Sequence, residues 1–288
     1  MKLIIVGASG YIGKRLYRKS KKLFVTYGTS SSGNGELLLL KLDEPNNFKY
    51  EVIKPLDIVC LTAAISAPDI CSNDHDRAWA VNVTGTIEFI NQVIHRGGRI
   101  IFFSSDTVYG ERKDEFDERA ICNPIGEYAL MKHEVEKQFL NEPLFKIIRL
   151  SYIFSQEDKF TQYLMGCVKR KEEADIFHPF YRSVIHLDDV VDGVIALSER
   201  WDEFPQNIFN FAGPRLLARI DFAMALQKSA LPDLCFHVSE PDDDFFENRP
   251  KIINMKSSIL EVLLNRLRHT LHEAIVMEFN TGGIIKND

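Results

Sequence analysis

The sequence predicts an α/β chain: a doubly wound parallel sheet with a smaller C-terminal domain. Three observations lead there. Short apolar runs recur through the first half, at 3–6, 23–27, 37–42, 58–61, 100–103 and 147–150. They are continuous rather than alternating, as parallel strands covered on both faces must be. Amphipathic segments at 11–21, 78–95 and 128–139 separate several of them. Strand, helix and strand in repetition give βαβ units. The third observation is the glycine-rich turn that joins the first run to the first helix, Gly7-Ala8-Ser9-Gly10-Tyr11-Ile12-Gly13. Residues 29–35 (TSSSGNG) form a loop by composition.

After Leu150 the rhythm breaks. Residues 155–181 are charged and aromatic with no clear strand, whereas 188–200 read as a helix and 208–211 as a strand. The expected division is a first domain of residues 1–150, to which the chain returns at about 187–212. A second domain is built mainly from 151–288, with helices near 221–230 and 257–272.

Composition narrows the function. Among 288 residues, 45% are hydrophobic and 26% charged, which excludes a disordered chain, a collagen-like chain and a coiled-coil rod. The net charge of −6 argues against a general nucleic-acid binder, whose affinity comes from neutralising phosphates. No apolar run approaches the length of about 20 needed to span a bilayer, so no membrane partner is expected. The start, Met1 to Gly7, reads as a strand rather than a signal peptide. The 5 cysteines are odd in number and none stand at C-x-x-C spacing. That fits a cytoplasmic protein without disulfides or a zinc cluster, and no metal ligands are expected.

The turn at Gly7, Gly10 and Gly13 has the spacing G-x-x-G-x-x-G. Glycines let the backbone bend sharply and approach a pyrophosphate, and the helix N-terminus beside Tyr11 and Ile12 offers it free N–H groups and a positive dipole end. A Rossmann-type dinucleotide-binding domain follows. The second strand ends Tyr27-Gly28-Thr29-Ser30-Ser31-Ser32, with no acid to grip the ribose of NAD. Lys14, Arg15, Arg18, Lys19, Lys21 and Lys22 lie in and just after the first helix, and hydroxyls with cations suit the extra phosphate of NADP. NADP is the expected cofactor and NAD the alternative.

Ser104-Ser105-Asp106-Thr107-Val108-Tyr109-Gly110 follows the fifth strand, placing hydroxyls at the carboxyl end of a parallel sheet, where such sheets bind ligands. Downstream, Tyr128 and Lys132 are four residues apart and share a helix face. A phenol with a pKa near 10 exchanges protons poorly at neutral pH. An adjacent ammonium favours the phenolate. The tyrosine can then exchange a proton with a substrate oxygen while hydride moves at the neighbouring carbon, and a serine hydroxyl can hold the same oxygen.

With these motifs in order, the sequence resembles the extended short-chain dehydrogenase/reductases over nearly its whole length. Leu42-Asp43 resembles that family's adenine-side acidic position, Thr62-Ala63-Ala64 its cofactor-side small-residue motif, and Asn82-Val83-Thr84-Gly85-Thr86 its N-x-x-G-T. Residues 184–190 and 209–213 resemble its later structural signatures. The resemblance implies that Ser105, Tyr128 and Lys132 are catalytic. It also implies that Gly7, Gly10, Tyr11, Ile12, Gly13, Asp43, Ala63, Ala64, Tyr128 and Lys132 hold the cofactor.

Most extended members act on nucleotide-linked sugars. The dehydratases among them carry Asp-Glu before Val-Tyr-Gly; here the pair is Asp106-Thr107. Ser105-Asp106 before Val108 is similar to the S-T-D-x-V of dTDP-4-dehydrorhamnose reductases, with serine for threonine. Arg149 to Phe154 resembles their R-T-S-W-V-Y, and Arg249-Pro250 their late R-P. Ser105, Asp106, Tyr152 and Arg249 are therefore the expected substrate residues, and Arg149, Arg182 and Arg249 are candidates for a substrate diphosphate. Residues 177–182 (FHPFYR) match nothing in that group. The implied function is an NADP-preferring reductase of a nucleotide-linked 4-keto sugar. The alternatives are an NAD-dependent 4-epimerase and a non-catalytic NADP-binding regulatory subunit. Segments 78–95 and 128–139 are candidates for pairing across a homodimer.

Overall fold

A computed structural model describes residues 1–280. Its centre is a seven-stranded sheet of β1 (Leu3–Val6), β2 (Thr26–Ser30), β3 (Leu38–Leu39), β4 (Ile58–Leu61), β5 (Arg99–Ser105), β6 (Phe145–Leu150) and β7 (Ile208–Phe211). The spatial order is β7-β6-β5-β4-β1-β2-β3, and every neighbouring pair is parallel. The order reverses between β4 and β1, which leaves a crevice outside the carboxyl ends of the strands.

Alternation along the strands explains why the runs are continuously apolar. Leu3, Ile5, Ile58, Cys60, Ile101 and Phe103 face one side, packed with Leu16 of α1 (Tyr11–Ser20) and Val190 and Val194 of a long helix, Leu187–Glu199. Ile4, Val6, Val59, Leu61, Ile100 and Phe102 face the other. There they meet Phe89 and Val93 of helix Thr86–His95, together with Val135 and Phe139 of helix Glu127–Phe139. Each such side chain contributes about 1.5–3 kcal/mol on burial, and both layers depend on it.

The segment 78–95, expected as one helix, is composite. Helix His75–Trp79 runs into a π-helical turn, Ala80–Gly85, and then into Thr86–His95. The widened turn lies where Gly85 meets the chain after β3: a Cβ there would stand 1.5 Å from the Leu42 carbonyl oxygen. Asn82, in the same turn, accepts from the Ile65 N–H (2.9 Å) and donates to the Ile65 carbonyl (2.8 Å). Its amide thus pins the loop after β4 as a neighbouring strand would.

A four-stranded sheet, ordered Leu216–Ala218, Tyr181–Ser183, Ile252–Met255 and Arg112–Phe116, forms a second layer. Its edge strand Arg112–Phe116 comes from the first half of the chain. Helices Lys159–Arg170, Arg219–Ser229 and Leu271–Asn280 enclose an apolar cluster around Phe154, Phe160, Leu164, Phe222 and Ile275.

Three further expectations change. The stretch 155–181 is structured: Asp158 caps helix Lys159–Arg170 by accepting from Phe160 and Thr161 N–H, and strand Ala174–Phe177 follows. The single helix expected over 257–272 is two, Leu260–Leu264 and Leu271–Asn280. Asn265 ends the first in the left-handed region (φ 52°), and Arg266 and His269 between them turn back onto buried Asp189. The second strand starts at Thr26 and takes in Thr29 and Ser30, because Leu23 and Val25 are exposed in the connection from α1. No helix among the described residues is long and apolar enough to cross a membrane.

Gly85→Ala is expected to lower stability by about 2–3 kcal/mol, since neither the π turn nor the Leu42 backbone can yield to a methyl group without shifting. Urea denaturation of the variant measures it; an unchanged midpoint would contradict the close approach.

Candidate active site

The crevice at the carboxyl ends is a cleft of about 760 Å³. Its floor is the loop between β1 and α1. Gly7 takes φ +88°, which a side chain disfavours, and a Cβ on Gly13 would sit 2.1 Å from the Gly7 carbonyl oxygen. Gly10 begins α1 with no side-chain cap, so the first-turn N–H groups have no side-chain acceptor. Buried Thr29 Oγ1 lines the cleft and has no hydrogen-bond partner among the described residues. An uncapped helix start, a bare glycine turn and an orphan hydroxyl fit an anionic dinucleotide.

The wall is built from the ends of several elements. Gly7, Gly10, Tyr11, Ile12, Gly13, Asp43, Ala63, Ala64, Tyr128 and Lys132 all line this one cleft. The six cations near α1, expected to favour an extra phosphate, do not line it. Lys14 pairs with Glu157, Arg15 with Asp188 and Glu278, Lys19 with Asp192, and Lys21 with Glu36. α1 packs against the helix that follows residue 186, so its cations meet that helix's acids. Ser30, Ser31 and Lys41 line the cleft near the ends of β2 and β3 instead.

Tyr128 and Lys132 project from helix Glu127–Phe139, one turn apart. Lys132 is buried; its Nζ donates to the Phe103 carbonyl (2.8 Å) and lies 5.8 Å from the centre of the Tyr128 ring. Burial pushes its pKa down to about 8, against the opposing pull of Glu136. Burial pushes the Tyr128 phenol above its ordinary value, and Cys71 and Asp106 add to the rise. The ammonium, set over the ring, does not reverse that: the phenol is raised, where the sequence led us to expect it lowered.

Ser105 ends β5 and caps the short 3-10 turn Asp106–Tyr109. Its Oγ accepts from Thr107 N–H (3.2 Å) and Thr107 Oγ1 (2.9 Å), and donates to Asp106 Oδ1 at 3.3 Å. Asp106 is buried, accepts from Ser151 Oγ (3.2 Å) and lies 3.7 Å from Arg182 Nε. Burial pushes that carboxyl up, and Arg182 opposes the rise.

A second cavity of about 150 Å³ is also lined by Tyr128. Thr107, Phe180, Arg182, Asn248 and Arg249 line it with the tyrosine, which thus belongs to both spaces. Arg249 reaches it while holding Asp69 with both carboxylate oxygens (2.7 and 2.8 Å). Arg182 donates to the Pro250 carbonyl (2.8 Å) and lies over Phe180. Segment 177–182, unmatched by sequence, supplies both.

Four expected residues lie elsewhere. Ser105 and Asp106 line neither space, although Thr107, hydrogen-bonded to Ser105, lines the smaller one. Tyr152 lines neither space; its hydroxyl donates to Asp158, and its ring lines a third, narrow cavity with Phe160, Arg219 and Phe222. Arg149 is buried behind Lys132 in a two-pronged pair with Glu136, which commits it to the fold. Buried His186 likewise serves the fold, its Nε2 lying 3.0 Å from Glu278. Sequence reading missed Thr107 and Arg219. The first lay inside a motif read for its neighbours. The second had one signal, a lone cation in the run Leu216-Leu217-Ala218-Arg219-Ile220.

Comparison with known proteins agrees with this architecture. A structure of a dTDP-4-dehydrorhamnose reductase from Clostridium acetobutylicum superposes with a TM-score of 0.83 at 21% identity, over 99% of this chain and 100% of that one. The same enzyme from Bacillus anthracis, in complex with NADP, gives 0.82 at 19%, over 97% and 98%. Bos taurus methionine adenosyltransferase 2 subunit beta is 22% identical over 242 residues, 78% of this chain and 71% of that protein. The family model described as the RmlD substrate binding domain matches residues 1–245, and the chain belongs to that family.

Proposed function

We propose that this protein is a nicotinamide-dependent reductase of a nucleotide-linked 4-keto sugar, with NADP preferred. The observation that carries the reading is the position of Tyr128. It lines both the long glycine-floored cleft and a small cavity lined by Thr107, Arg182 and Arg249. A proton donor at such a junction serves a substrate in one space and a cofactor in the other. The structural neighbours that are dTDP-4-dehydrorhamnose reductases, one in complex with NADP, support the same class.

When bound, the nicotinamide supplies the hydride that converts the carbonyl carbon to a carbinol. The chain's own groups do the rest. The raised phenol of Tyr128 is fully protonated at neutral pH and gives its proton to the carbonyl oxygen. Ser105 holds that oxygen; its hydroxyl already accepts two hydrogen bonds from Thr107, so its own proton is free to turn from Asp106 to the substrate. Lys132, tethered to the Phe103 carbonyl, holds the cofactor ribose and places positive charge beneath the phenol as it loses its proton. Ser30, Ser31 and Lys41 receive the phosphate that distinguishes NADP from NAD.

A second reading is a nicotinamide-binding subunit without turnover that acts through a partner enzyme. The relative that is named as a subunit favours it. The presence of Ser105, Tyr128 and Lys132 in one chain, with the last two lining one cleft, weighs for chemistry, because binding alone makes no demand on that combination.

Tyr128→Phe is expected to lower NADPH oxidation by about 10²–10⁴-fold with a panel of nucleotide-linked 4-keto-6-deoxy sugars, while NADPH binding persists. Wild-type protein that binds NADPH but turns over none of the panel would move the weight to the subunit reading. The kcat/KM of the wild type is expected to fall as pH rises through about 8. The working form of Lys132 is the ammonium, present below that value and lost above it; Lys132→Arg, which does not titrate there, should remove this limb whatever its residual rate. Lys41→Ala should weaken NADPH about tenfold and NADH little, read by fluorescence titration. Equal losses would remove Lys41 from cofactor discrimination.

A further inference from the structure

The hydroxyl that meets the small cavity belongs to Thr107. Ser105 and Asp106 line neither space, whereas Thr107 lines that cavity together with Tyr128. Its place is well fixed. It sits in the 3-10 turn Asp106–Tyr109, whose Val108 and Tyr109 are fully buried, and the Tyr109 hydroxyl donates to Asn210 Oδ1 (2.8 Å).

Hydrogen bonding decides what this hydroxyl can offer. The Ser105 oxygen has two lone pairs, and Thr107 fills both, through its N–H (3.2 Å) and its Oγ1–H (2.9 Å). The Ser105 proton goes to Asp106 Oδ1 at 3.3 Å or turns to a substrate. In either orientation the Thr107 proton stays on Ser105. What Thr107 has left is two lone pairs and no proton, so toward the cavity it can only accept. The other polar side chains there lean the opposite way. Arg182 and Arg249 only donate, and Tyr128 gives its proton; Asn248 adds an amide that does both. A keto sugar brings a carbonyl that accepts and hydroxyls that need acceptors.

We propose that Thr107 is a specificity-determining residue whose hydroxyl oxygen accepts a hydrogen bond from a substrate hydroxyl flanking the carbonyl. The inference rests on the keto-sugar reading and narrows it. Thr107 and Tyr128 share one small cavity, so a group on Thr107 lies close to the carbonyl that Tyr128 protonates. In a 4-keto hexose the hydroxyls that qualify are the one on C3, next to the carbonyl, and the one on the exocyclic C6. A sugar without the matching hydroxyl covers the Thr107 oxygen and leaves it without a donor, which a site of this kind penalises.

The test compares dTDP- and UDP-linked 4-keto hexoses with their 3-deoxy and 6-deoxy counterparts in NADPH oxidation by the full-length protein, beside Thr107→Val and Thr107→Ser. Valine keeps the branched shape and removes the acceptor; serine keeps the acceptor. The wild type is expected to prefer the hydroxylated member of one pair by about tenfold or more in kcat/KM. Thr107→Val should bring that ratio close to one, and Thr107→Ser should restore it, with NADPH affinity unchanged in both. Loosening Ser105 alone would slow every sugar equally and leave the ratio as it was. An unchanged ratio in Thr107→Val therefore overturns the proposal while the reductase reading stands; Thr107→Ala repeats the measurement should the valine variant not fold. If the wild type turns over none of the sugars, calorimetric titration with the same sugars in the presence of NADP+ decides. A preference in binding that depends on Thr107 would keep the acceptor and sink the reductase reading. No preference in turnover or in binding would sink the proposal itself.

Discussion

Three backbone crossings with no room for a methyl group set the shape of the cleft. Gly13 passes so close to Gly7 that a Cβ would lie 2.1 Å from its carbonyl oxygen, Gly7 itself lies against Ala63, and Gly85 rides over the Leu42 carbonyl. These contacts draw the ends of β1, β3 and β4 together at the point where the strand order reverses. Asn82 then fastens the loop after β4 through both ends of its amide. What remains is a groove whose floor is bare backbone and uncapped helix, a surface that a diphosphate can approach closely. The side chains that line it are placed by these crossings.

Charge is distributed by the same logic. The cations of α1 tie that helix to its neighbours: Arg15 reaches Asp188 and Glu278, and Lys19 reaches Asp192. Behind Lys132, Arg149 and Glu136 are both buried and mutually hydrogen-bonded, an arrangement in which removing one partner costs about 3–5 kcal/mol. That pair leaves Lys132 without an acid in direct contact, so burial dominates its titration. On the substrate side, Arg182 lies 3.7 Å from Asp106 and Arg249 holds Asp69, so the arginines beside the small cavity next to Tyr128 are paired with acids from other elements.

Much of this was legible in the sequence, for physical reasons. Continuous apolar runs report burial on both faces, and the central strands are buried on both, so the sheet was readable. The cleft was readable because glycine has few other reasons to recur at three-residue intervals after a strand. Strand 26–30 was misplaced by a few residues because a buried parallel strand tolerates Thr29 and Ser30, which composition assigns to a loop. Residues 155–181 were opaque because the cap at Asp158 and the face formed by Phe160, Leu164 and Cys167 are diluted by charges on the solvent side. The partners of side chains were the least legible of all. Nothing local distinguishes Arg149, which is bonded to Glu136, from Arg219, whose guanidinium lies over the rings of Phe160 and Phe180; the difference lies in which elements the fold brings against each.

The electrostatics of Tyr128 and Lys132 bear on the direction of the proposed reaction. Burial penalises charge on both groups, so it raises the phenol and lowers the ammonium. A phenolate needs cationic help that Lys132, placed over the ring at 5.8 Å, gives only in part. The resting pair is therefore neutral tyrosine beside a lysine that remains charged at pH 7, the protonation state of a donor. A reduction begins from that state and ends with the phenolate, which solvent can reprotonate. Abstracting a proton from an alcohol, as oxidation or epimerisation requires, would have to begin from the phenolate, the form this environment disfavours most. Asp106 sharpens the bias, since it adds to the rise of the phenol. In the proposed reduction, burial and Asp106 thus favour the protonated form of Tyr128, the form from which a proton is given.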